Sequence, residues 1–312
     1  MTRVAVTCLQ LLRDLEQHRA PLDDRSWDVV PAHVPGQHLE GDALVDAMRD
    51  CVGVVAGDDQ FTADVLAQLP TLRVISKWGI GIDGIDLEAA ERHGIVVRNT
   101  PGMFNDEVAD ITMAYITIVV RRLVDIDRGV RAGSWPKPPG RSLQSLTLGI
   151  VGLGAIGRAT AVRALAAGMP TVGTDPSPES REAATAMGVQ CVDLDELLAK
   201  SDVIAINAPL NAATHHLIDE AAFDAMREGV YLVNTGRGAV VSNDALVAAL
   251  DVGKVTACAL DVMEHEPPPL DDPLRQFDNV VFGSHNASNT LDASARVSDV
   301  AIANLIEELE RS

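Results

Sequence analysis

A glycine-rich turn between a predicted strand and a predicted helix constrains the fold of this chain more than any other feature. Residues 148–151 form a short apolar run that is typical of a buried strand, and residues 158–167 form an alanine-rich run that is typical of a helix. The residues between them include Gly152, Gly154 and Gly157. A Gly-x-Gly-x-x-Gly turn in this position predicts the first unit of a dinucleotide-binding β-α-β fold.

Each glycine of this turn has a physical reason. Gly152 permits the tight change from strand to helix, Gly154 lets a pyrophosphate approach the backbone, and Gly157 lets the new helix pack closely on the strand. The N-terminus of that helix, at Ala155 and Ile156, offers N–H groups and a partial positive charge to the phosphates. A turn of the same shape that binds no ligand is the alternative interpretation.

An acidic residue, Asp175, ends the next predicted strand. It follows the glycine turn at close to the spacing of about 20 residues that the dinucleotide motif requires. Its carboxylate can accept hydrogen bonds from both hydroxyls of the adenosine ribose, and it repels a 2′-phosphate. The sequence therefore predicts NAD in preference to NADP, with a helix-capping role for Asp175 before Pro176 as the alternative.

Short apolar runs alternate with helical patterns along the chain, which predicts parallel β-α-β units and an α/β fold. Strands are predicted at residues 4–7, 52–56, 72–75 and 95–97, and in a second series at residues 148–151, 171–174, 203–206, 230–233, 256–260 and 280–282. Between the two series, residues 107–130 are predicted to form one long helix, followed by a loop rich in glycine and proline. A last amphipathic helix is predicted at residues 292–309. Two such series predict two lobes with a ligand-binding cleft between them.

The composition restricts the classes of partner. The 45 acidic and 25 basic residues give a formal net charge of −20, which repels nucleic-acid phosphates and anionic lipid headgroups. No apolar run approaches the ~20 residues of a membrane span, and the N-terminus enters a predicted strand without a signal peptide. The cysteines are Cys8, Cys51, Cys191 and Cys258, and no pair of them has the spacing of metal ligands. This pattern predicts reduced thiols, a cytoplasmic location and no bound metal.

Three ionisable residues, Arg237, Glu266 and His285, each follow a predicted strand of the second series. Because the C-terminal ends of parallel strands open onto one edge of the sheet, we expect these side chains to lie near the cofactor. Histidine can transfer the hydroxyl proton that accompanies hydride transfer, and a carboxylate partner orients its ring and favours its protonated form. Arginine can bind a carboxylate in two places and polarise the neighbouring carbonyl.

Each of these three residues also has a simpler interpretation when it is taken alone. Arg237 could be a surface salt-bridge partner, His285 could be a loop or capping residue, and Glu266 could merely precede a turn at Pro267. Their order beside a nucleotide-binding pattern is what favours a catalytic group.

A set of ordered motifs resembles those of the D-isomer-specific 2-hydroxyacid dehydrogenases, the family that includes D-3-phosphoglycerate dehydrogenase and glycerate/hydroxypyruvate reductase. The motifs are Lys77-Trp78-Gly79-Ile80-Gly81-Ile82-Asp83, Asn99-Thr100-Pro101-Gly102, residues 147–157, Ala208-Pro209-Leu210, residues 234–238, residues 259–266 and Ser284-His285. The resemblance implies two Rossmann-like or flavodoxin-like domains with doubly wound parallel sheets. It implies an NAD-binding domain at residues 99–287, inserted into a substrate domain made of residues 1–98 and 288–312.

The resemblance also implies roles for single residues. The catalytic residues would be Arg237, Glu266 and His285, and the acceptor for the nicotinamide amide would be Asp261. Further cofactor contacts are implied at Ala208, Pro209, Thr235 and His285. The substrate-binding segment would be Lys77, Trp78, Gly79 and Ile80, with the backbone N–H groups from Gly79 to Gly81 on the substrate carboxylate and Arg237 opposite. The long helix and the loop at Trp135 resemble the family's dimerisation elements, which implies a homodimer through the NAD-binding domain.

Two departures from the family pattern leave the substrate open. Gly84 stands where many members carry asparagine, and His285 is followed by Asn286-Ala287-Ser288-Asn289 where Ile-Gly-Gly is more usual. Lys77 could bind a second anionic group, such as a phosphate or phosphonate, or it could face solvent. A phosphite dehydrogenase activity, or an NAD-sensing binding protein without catalysis, are the alternative functions.

Overall fold

The computed structural model describes residues 2–311 and contains two compact units, each built on a parallel β-sheet. The first unit runs to Met103 and resumes at Asn289, and the second comprises Phe104–Ser288. The predicted α/β class with two parallel sheets is confirmed. The predicted domain limits, after residues 98 and 287, lie close to these divisions, and the assignment of substrate binding to the first unit stays a prediction.

The first unit has a five-stranded sheet with the strand order β2-β1-β3-β4-β5. Elements are numbered in chain order through both units. The strands are β1 (Arg3–Val6), β2 (Asp28–Pro31), β3 (Gly53–Ala56), β4 (Val74–Lys77) and β5 (Val96–Arg98). The helices are α1 (Leu9–His18), α2 (Ala20–Asp23), α3 (Gly41–Ala47), α4 (Ala63–Ala67), α5 (Leu87–Arg92) and, after the second unit, α13 (Leu291–Arg311). The central strands β3 and β4 are buried along their whole length, as the apolar runs predict.

The second unit has a seven-stranded sheet with the strand order β12-β11-β10-β9-β6-β7-β8. The strands are β6 (Leu148–Val151), β7 (Thr171–Thr174), β8 (Gln190–Cys191), β9 (Val203–Ile206), β10 (Val230–Asn234), β11 (Val255–Leu260) and β12 (Val280–Phe282). The helices are α6 (Asn105–Arg121), α7 (Leu123–Arg131), α8 (Ala155–Ala166), α9 (Pro178–Ala186), α10 (Leu194–Lys200), α11 (Glu220–Ala225) and α12 (Asn243–Asp251). All strand pairs are parallel, so the loops after β6, β7, β9, β10, β11 and β12 leave the same edge of the sheet.

The long helix predicted at residues 107–130 is wrong, because the chain forms two helices there. Arg122 stands between α6 and α7 with φ 54° and ψ 41°, in the left-handed region that ends an α-helix. The helix α6 buries Val119 and Val120 in its last turn, whereas α7 buries none of its side chains. The break therefore separates a helix that packs in the core from one that lies on the surface.

Two strands, β2 and β8, are not among those predicted from the sequence. Both are edge strands, and each is short and partly exposed: β2 has no fully buried residue and β8 has two residues. β2 begins with Asp28 and ends with Pro31, and β8 has only two residues, so neither has the continuous apolar run by which the other strands were recognised.

The C-terminal helix α13 completes the core of the first unit. A methyl group added to Gly53 would lie 2.6 Å from Leu305 Cδ1, so the helix lies directly against the backbone of β3. Two hydrogen bonds fix its register: Ser76 Oγ donates to the carbonyl of Ala301 at 2.7 Å, and the indole Nε1 of Trp78 donates to Ser298 Oγ at 3.0 Å.

No helix within residues 2–311 combines the length and apolar character that a membrane crossing requires.

The packing of α13 can be tested with two leucines of the same helix. Leu305 is fully buried and Leu291 is 83% exposed. We expect Leu305→Ala to lower the free energy of unfolding of the first unit by about 2–5 kcal/mol, because it leaves a cavity against β3. The matched change Leu291→Ala is expected to alter it by less than about 0.5 kcal/mol. Denaturant unfolding measures both, and equal effects would contradict the described packing.

Candidate functional site

The glycine turn after β6 has the geometry that the motif requires. Gly152 has a φ of +95°, and a methyl group added there would lie 2.8 Å from the backbone nitrogen of Ala208. A methyl group added to Gly157 would lie 1.9 Å from the carbonyl oxygen of Gly152, so α8 reaches its position only with glycine there. At Gly154, by contrast, no atom lies within 4 Å of an added methyl group. The turn is thus crowded on its protein side and open at Gly154, which fits the approach of a ligand.

The helix that follows offers hydrogen-bond donors at this opening. Ala155, Ile156 and Gly157 are the first residues of α8, so their backbone N–H groups have no partner within the helix. The helix has 12 residues, long enough to place a partial positive charge at its N-terminus. These features together fit a pyrophosphate.

The carboxylate of Asp175 is held beside the same turn. Its Oδ2 accepts a hydrogen bond from the backbone N–H of Leu153 at 2.8 Å, and its Oδ1 accepts one from Ser177 at 2.8 Å. Ser177, rather than Asp175, caps α9, because the Ser177 side chain accepts from the N–H of Ser180. A carboxylate has about four acceptor positions, so Asp175 can also accept hydrogen bonds from a ribose. The helix-capping alternative is therefore wrong.

Thr235 and Ala208 lie at the middle of the same sheet edge, and both are buried, whereas Pro209 is exposed. Thr235 Oγ1 lies 2.8 Å from Thr112 Oγ1 and accepts a hydrogen bond from Asn207 Nδ2 at 3.0 Å. Asn207 and Thr112 were not predicted from the sequence. Neither belongs to a motif, and Thr112, on α6, is distant from Thr235 in the sequence.

His285 and Glu266, two of the predicted catalytic residues, form a pair in the second unit. His285 Nδ1 lies 2.8 Å from Glu266 Oε2, and the two side chains are 24% and 17% exposed. Glu266 Oε1 accepts a hydrogen bond from the backbone N–H of Met263 at 2.8 Å, which fixes the carboxylate. Because Nδ1 faces Glu266, Nε2 is the ring nitrogen that can exchange a proton with a substrate.

Arg237 lies on a turn that packs against the loop leading to Glu266. Asn234 closes this turn, since its Nδ2 donates to the carbonyl of Arg237 at 3.0 Å and its Oδ1 accepts from the N–H of Gly236 at 3.1 Å. A methyl group added to Gly238 would lie 1.9 Å from the carbonyl carbon of Met263. The two backbones therefore touch, and Arg237 and Glu266 occupy neighbouring loops.

Asp261, at the end of β11, holds the segment that carries His285. Its buried carboxylate accepts hydrogen bonds from the backbone N–H groups of Asn286 at 3.2 Å and Ala287 at 2.9 Å, and from the Tyr115 hydroxyl at 3.1 Å. Its carbonyl accepts from the N–H of His285 at 2.7 Å, where His285 has a φ of 53°. Burial, and then the charge of Asp261, raise the pKa of Tyr115, so its hydroxyl stays a donor. Three donors leave room for a fourth on this carboxylate.

A second histidine–glutamate pair stands beside the catalytic loop. His216 Nε2 lies 2.7 Å from Glu264 Oε1, and Glu264 Oε2 accepts a hydrogen bond from the N–H of Asn243 at 3.0 Å. Burial acts to raise the pKa of Glu264, but these two hydrogen bonds, together with the charges of His216 and His265, outweigh it and leave that pKa below its usual value. With His215, these side chains bring ligand atoms within 4.8 Å of one another. The bond between His216 and Glu264 accounts for their approach, and the expected absence of a metal stays a prediction.

The structure changes the interpretation of the substrate-binding segment in the first unit. Lys77 is 7% exposed, so the solvent-facing alternative is wrong. Its Nζ donates to Asp58 Oδ1 at 2.9 Å and to the carbonyl of Trp78 at 3.1 Å, while the Trp78 indole is buried against α13. The N–H of Gly79 donates to Thr100 Oγ1 at 3.0 Å, so the expected contact of that N–H with a substrate carboxylate is also wrong. The backbone N–H groups of Ile80 and Gly81 remain the candidate contacts for a substrate carboxylate.

Comparisons with known proteins agree with this geometry. The sequence model of the family described as D-isomer specific 2-hydroxyacid dehydrogenase, NAD binding domain, matches residues 113–287. A glyoxylate reductase of Thermofilum pendens is 41% identical over 258 residues, which are 81% of this chain and 76% of that protein. A hydroxypyruvate reductase of Thermotoga maritima is 36% identical over 301 residues, which are 93% of this chain and 96% of that protein.

A solved structure resembles nearly the whole chain. The D-lactate dehydrogenase of Aquifex aeolicus, complexed with NAD and lactic acid, superposes with a TM-score of 0.85 and 30% identity, and the match covers 99% of this chain and 97% of that one. NAD is therefore confirmed as the cofactor, as the glycine turn and Asp175 predict.

The preference for NAD over its 2′-phosphorylated form can be tested at Asp175. We expect Asp175→Asn to reduce the ratio of the NADPH to the NADH dissociation constant by about tenfold, because the repulsion of the 2′-phosphate is lost. Asparagine keeps one acceptor for the backbone, so the turn should persist. Asp193→Asn, at the N-cap of α10, is the matched control and should leave the ratio unchanged. Fluorescence titration measures both ratios, and an unaltered preference in Asp175→Asn would contradict the assignment.

Proposed function

Because the chain belongs to the D-isomer-specific 2-hydroxyacid dehydrogenase family, whose members are NAD-dependent oxidoreductases, we propose that it reduces small 2-oxo acids to D-2-hydroxy acids and catalyses the reverse oxidation. The observation that carries this proposal is the pair of His285 and Glu266 at 2.8 Å, with Glu266 on a loop that adjoins the turn of Arg237. The group combines a proton donor, its orienting carboxylate and a cation for a carboxylate substrate.

His285 and Glu266 handle the proton. In reduction, a hydride adds to the carbonyl carbon and the proton on His285 Nε2 passes to the carbonyl oxygen, so that the ketone or aldehyde becomes a hydroxyl group. When bound, the dinucleotide supplies that hydride from its nicotinamide ring. Glu266 stabilises the imidazolium before the transfer and holds the ring in place through Nδ1.

Arg237 binds the substrate carboxylate and polarises the adjacent carbonyl. Its Nη1 donates to the carbonyl of Gly236 at 2.9 Å, which limits the guanidinium to a small range of orientations. Asp261 accepts a hydrogen bond from the nicotinamide amide, on the acceptor position that its three donors leave open.

The charge beside Gly79 favours substrates without a second anionic group. The ammonium of Lys77 is neutralised by Asp58 at 2.9 Å, so it offers little net attraction to a phosphate or phosphonate. The relatives named glyoxylate reductase and hydroxypyruvate reductase support this choice. We therefore propose glyoxylate and hydroxypyruvate as the preferred 2-oxo acids.

Assembly and location are also proposals. The second unit exposes apolar side chains on α7 and the loop after it, with Leu123, Val130 and Trp135 at 43%, 44% and 77% exposure, which supports a homodimer formed through this unit. Sedimentation at the mass of one chain would contradict the homodimer. The proposed cytoplasmic location can be tested by cell fractionation.

The catalytic roles can be tested by replacing side chains singly. We expect His285→Ala and Arg237→Ala to lower kcat/KM for glyoxylate reduction by about 10²–10⁴-fold, while the dissociation constant of NADH stays within about threefold. The neighbouring exposed His265 gives the matched control His265→Ala, which should keep normal turnover. Full turnover in both catalytic variants would refute the mechanism. NADH binding without turnover on any 2-oxo acid would favour a sensing protein, and oxidation of phosphite would favour that alternative activity.

The substrate choice can be tested with a panel of 2-oxo acids. We expect kcat/KM for glyoxylate and hydroxypyruvate to exceed that for phosphohydroxypyruvate and phosphonopyruvate by about tenfold or more, because Lys77 is already paired. Asp58→Asn should narrow this difference by releasing the charge of Lys77, whereas Lys77→Gln should not. A preference for the phosphorylated acid in the unmodified protein would reject the proposed substrate class.

A further inference from the structure

A chain of hydrogen bonds inside the second unit fixes the orientation of the Asn207 amide. Thr112 Oγ1 donates to the carbonyl of Val108 at 2.7 Å, so its hydroxyl accepts the bond from Thr235 Oγ1 at 2.8 Å. Thr235 in turn accepts from Asn207 Nδ2 at 3.0 Å. Because each hydroxyl has one proton to give, this order assigns the amide nitrogen of Asn207 to Thr235.

The other end of the amide is an acceptor without a partner. Among residues 2–311, Asn207 Oδ1 is one of four buried side-chain polar atoms that have no hydrogen bond. Buried polar groups in native proteins are nearly always paired, so such an atom requires an explanation. The residue as a whole is only partly buried.

The position of Asn207 in the sheet indicates what it faces. Asn207 directly follows β9, which lies between β6 and β10. The glycine turn follows β6, and a methyl group added to Gly152 would lie 2.9 Å from the carbonyl carbon of Asn207. On the far side of β10 lies β11, which ends at Asp261, and on the far side of β6 lies β7, which ends at Asp175.

This strand order follows the order of groups along an NAD molecule. Asp175 corresponds to the adenosine ribose, the glycine turn to the pyrophosphate and Asp261 to the nicotinamide amide. Asn207 stands between the positions of the pyrophosphate and the nicotinamide, where the second ribose lies. A phosphate has only acceptors at neutral pH, so a lone carbonyl acceptor fits a hydroxyl group and not the pyrophosphate.

We propose that Asn207 Oδ1 accepts a hydrogen bond from a hydroxyl group of the nicotinamide ribose. The proposal rests on the proposed function through the roles of Asp175 and Asp261, which set the direction of the cofactor along the edge. Thr235 and Thr112 act here as positioning residues, because they hold the amide nitrogen away from the ligand. Asn207 thereby recognises a part of the cofactor that the glycine motif does not contact.

Three ligands that differ by one group at a time provide the test. ADP lacks the second ribose, ADP-ribose contains it, and NADH adds the nicotinamide. Asn207→Leu keeps the size of the side chain. We expect it to weaken the binding of NADH and of ADP-ribose by about tenfold and the binding of ADP by less than about twofold. Isothermal titration calorimetry measures the three dissociation constants, and the readout is the ratio of the ADP constant to the ADP-ribose constant.

Two further variants separate this role from a general effect on the fold. Asn207→Asp keeps an acceptor oxygen, so it should preserve the ratio of the two dissociation constants. Its added negative charge should weaken the binding of all three ligands together. Thr112→Val breaks the chain of hydrogen bonds that orients the amide, so it should lower the ratio in the same direction as Asn207→Leu but by a smaller factor. Thermal unfolding of each variant identifies any that do not fold, and Asn207→Ala, which also removes the acceptor, then tests the ratio in place of Asn207→Leu.

Two results would overturn the proposal. Equal losses for ADP and ADP-ribose in Asn207→Leu would mean that the side chain only supports the turn. A loss confined to NADH would mean that the donor is the nicotinamide amide and not the ribose. Because these are equilibrium binding measurements, they stand apart from the turnover of His285→Ala and Arg237→Ala, on which the proposed function depends.

Discussion

The loops at the C-terminal edge of the second sheet depend on the hydrogen bonds of one buried carboxylate, that of Asp261. A buried charge is costly unless several donors surround it, and here the donors are the Tyr115 hydroxyl and the N–H groups of Asn286 and Ala287. These bonds hold the segment that follows β12, and with it the left-handed backbone of His285. His285 is therefore positioned from two directions, by Asp261 through its backbone and by Glu266 through its ring.

Several strands could be predicted because their signal is local. The limits of β6, β7, β9 and β12 match the prediction, β6 and β9 contain no polar side chain, and the glycine turn has a steric reason at each position. The break at Arg122 has no glycine or proline to mark it, so it depends on how far the core extends along α6. The contacts of Tyr115 and Thr112 could not be predicted either, since they join residues that are far apart in the chain and belong to no motif.

The lysine of the first unit shows why residue type alone does not define a site. Sequence placed a cation before the predicted carboxylate-binding backbone, but not Asp58, which neutralises it. Likewise, the N–H of Gly79 was expected to bind substrate, and the Thr100 hydroxyl already accepts its hydrogen bond. In both cases the motif contains the group, but a partner outside that motif determines whether the group is still available to bind a ligand.

The position of α13 also bears on how the chain folds during synthesis. The face of β3 and β4 that Leu305 covers belongs to the first part of the chain, yet the 21 residues of α13 leave the ribosome only after the whole second unit. The residues up to Met103 thus emerge with an apolar face uncovered, whereas Phe104–Ser288 holds all seven strands of its own sheet. The second unit can mature while the first waits for its final helix, and that interval is when the nascent chain is most exposed to aggregation.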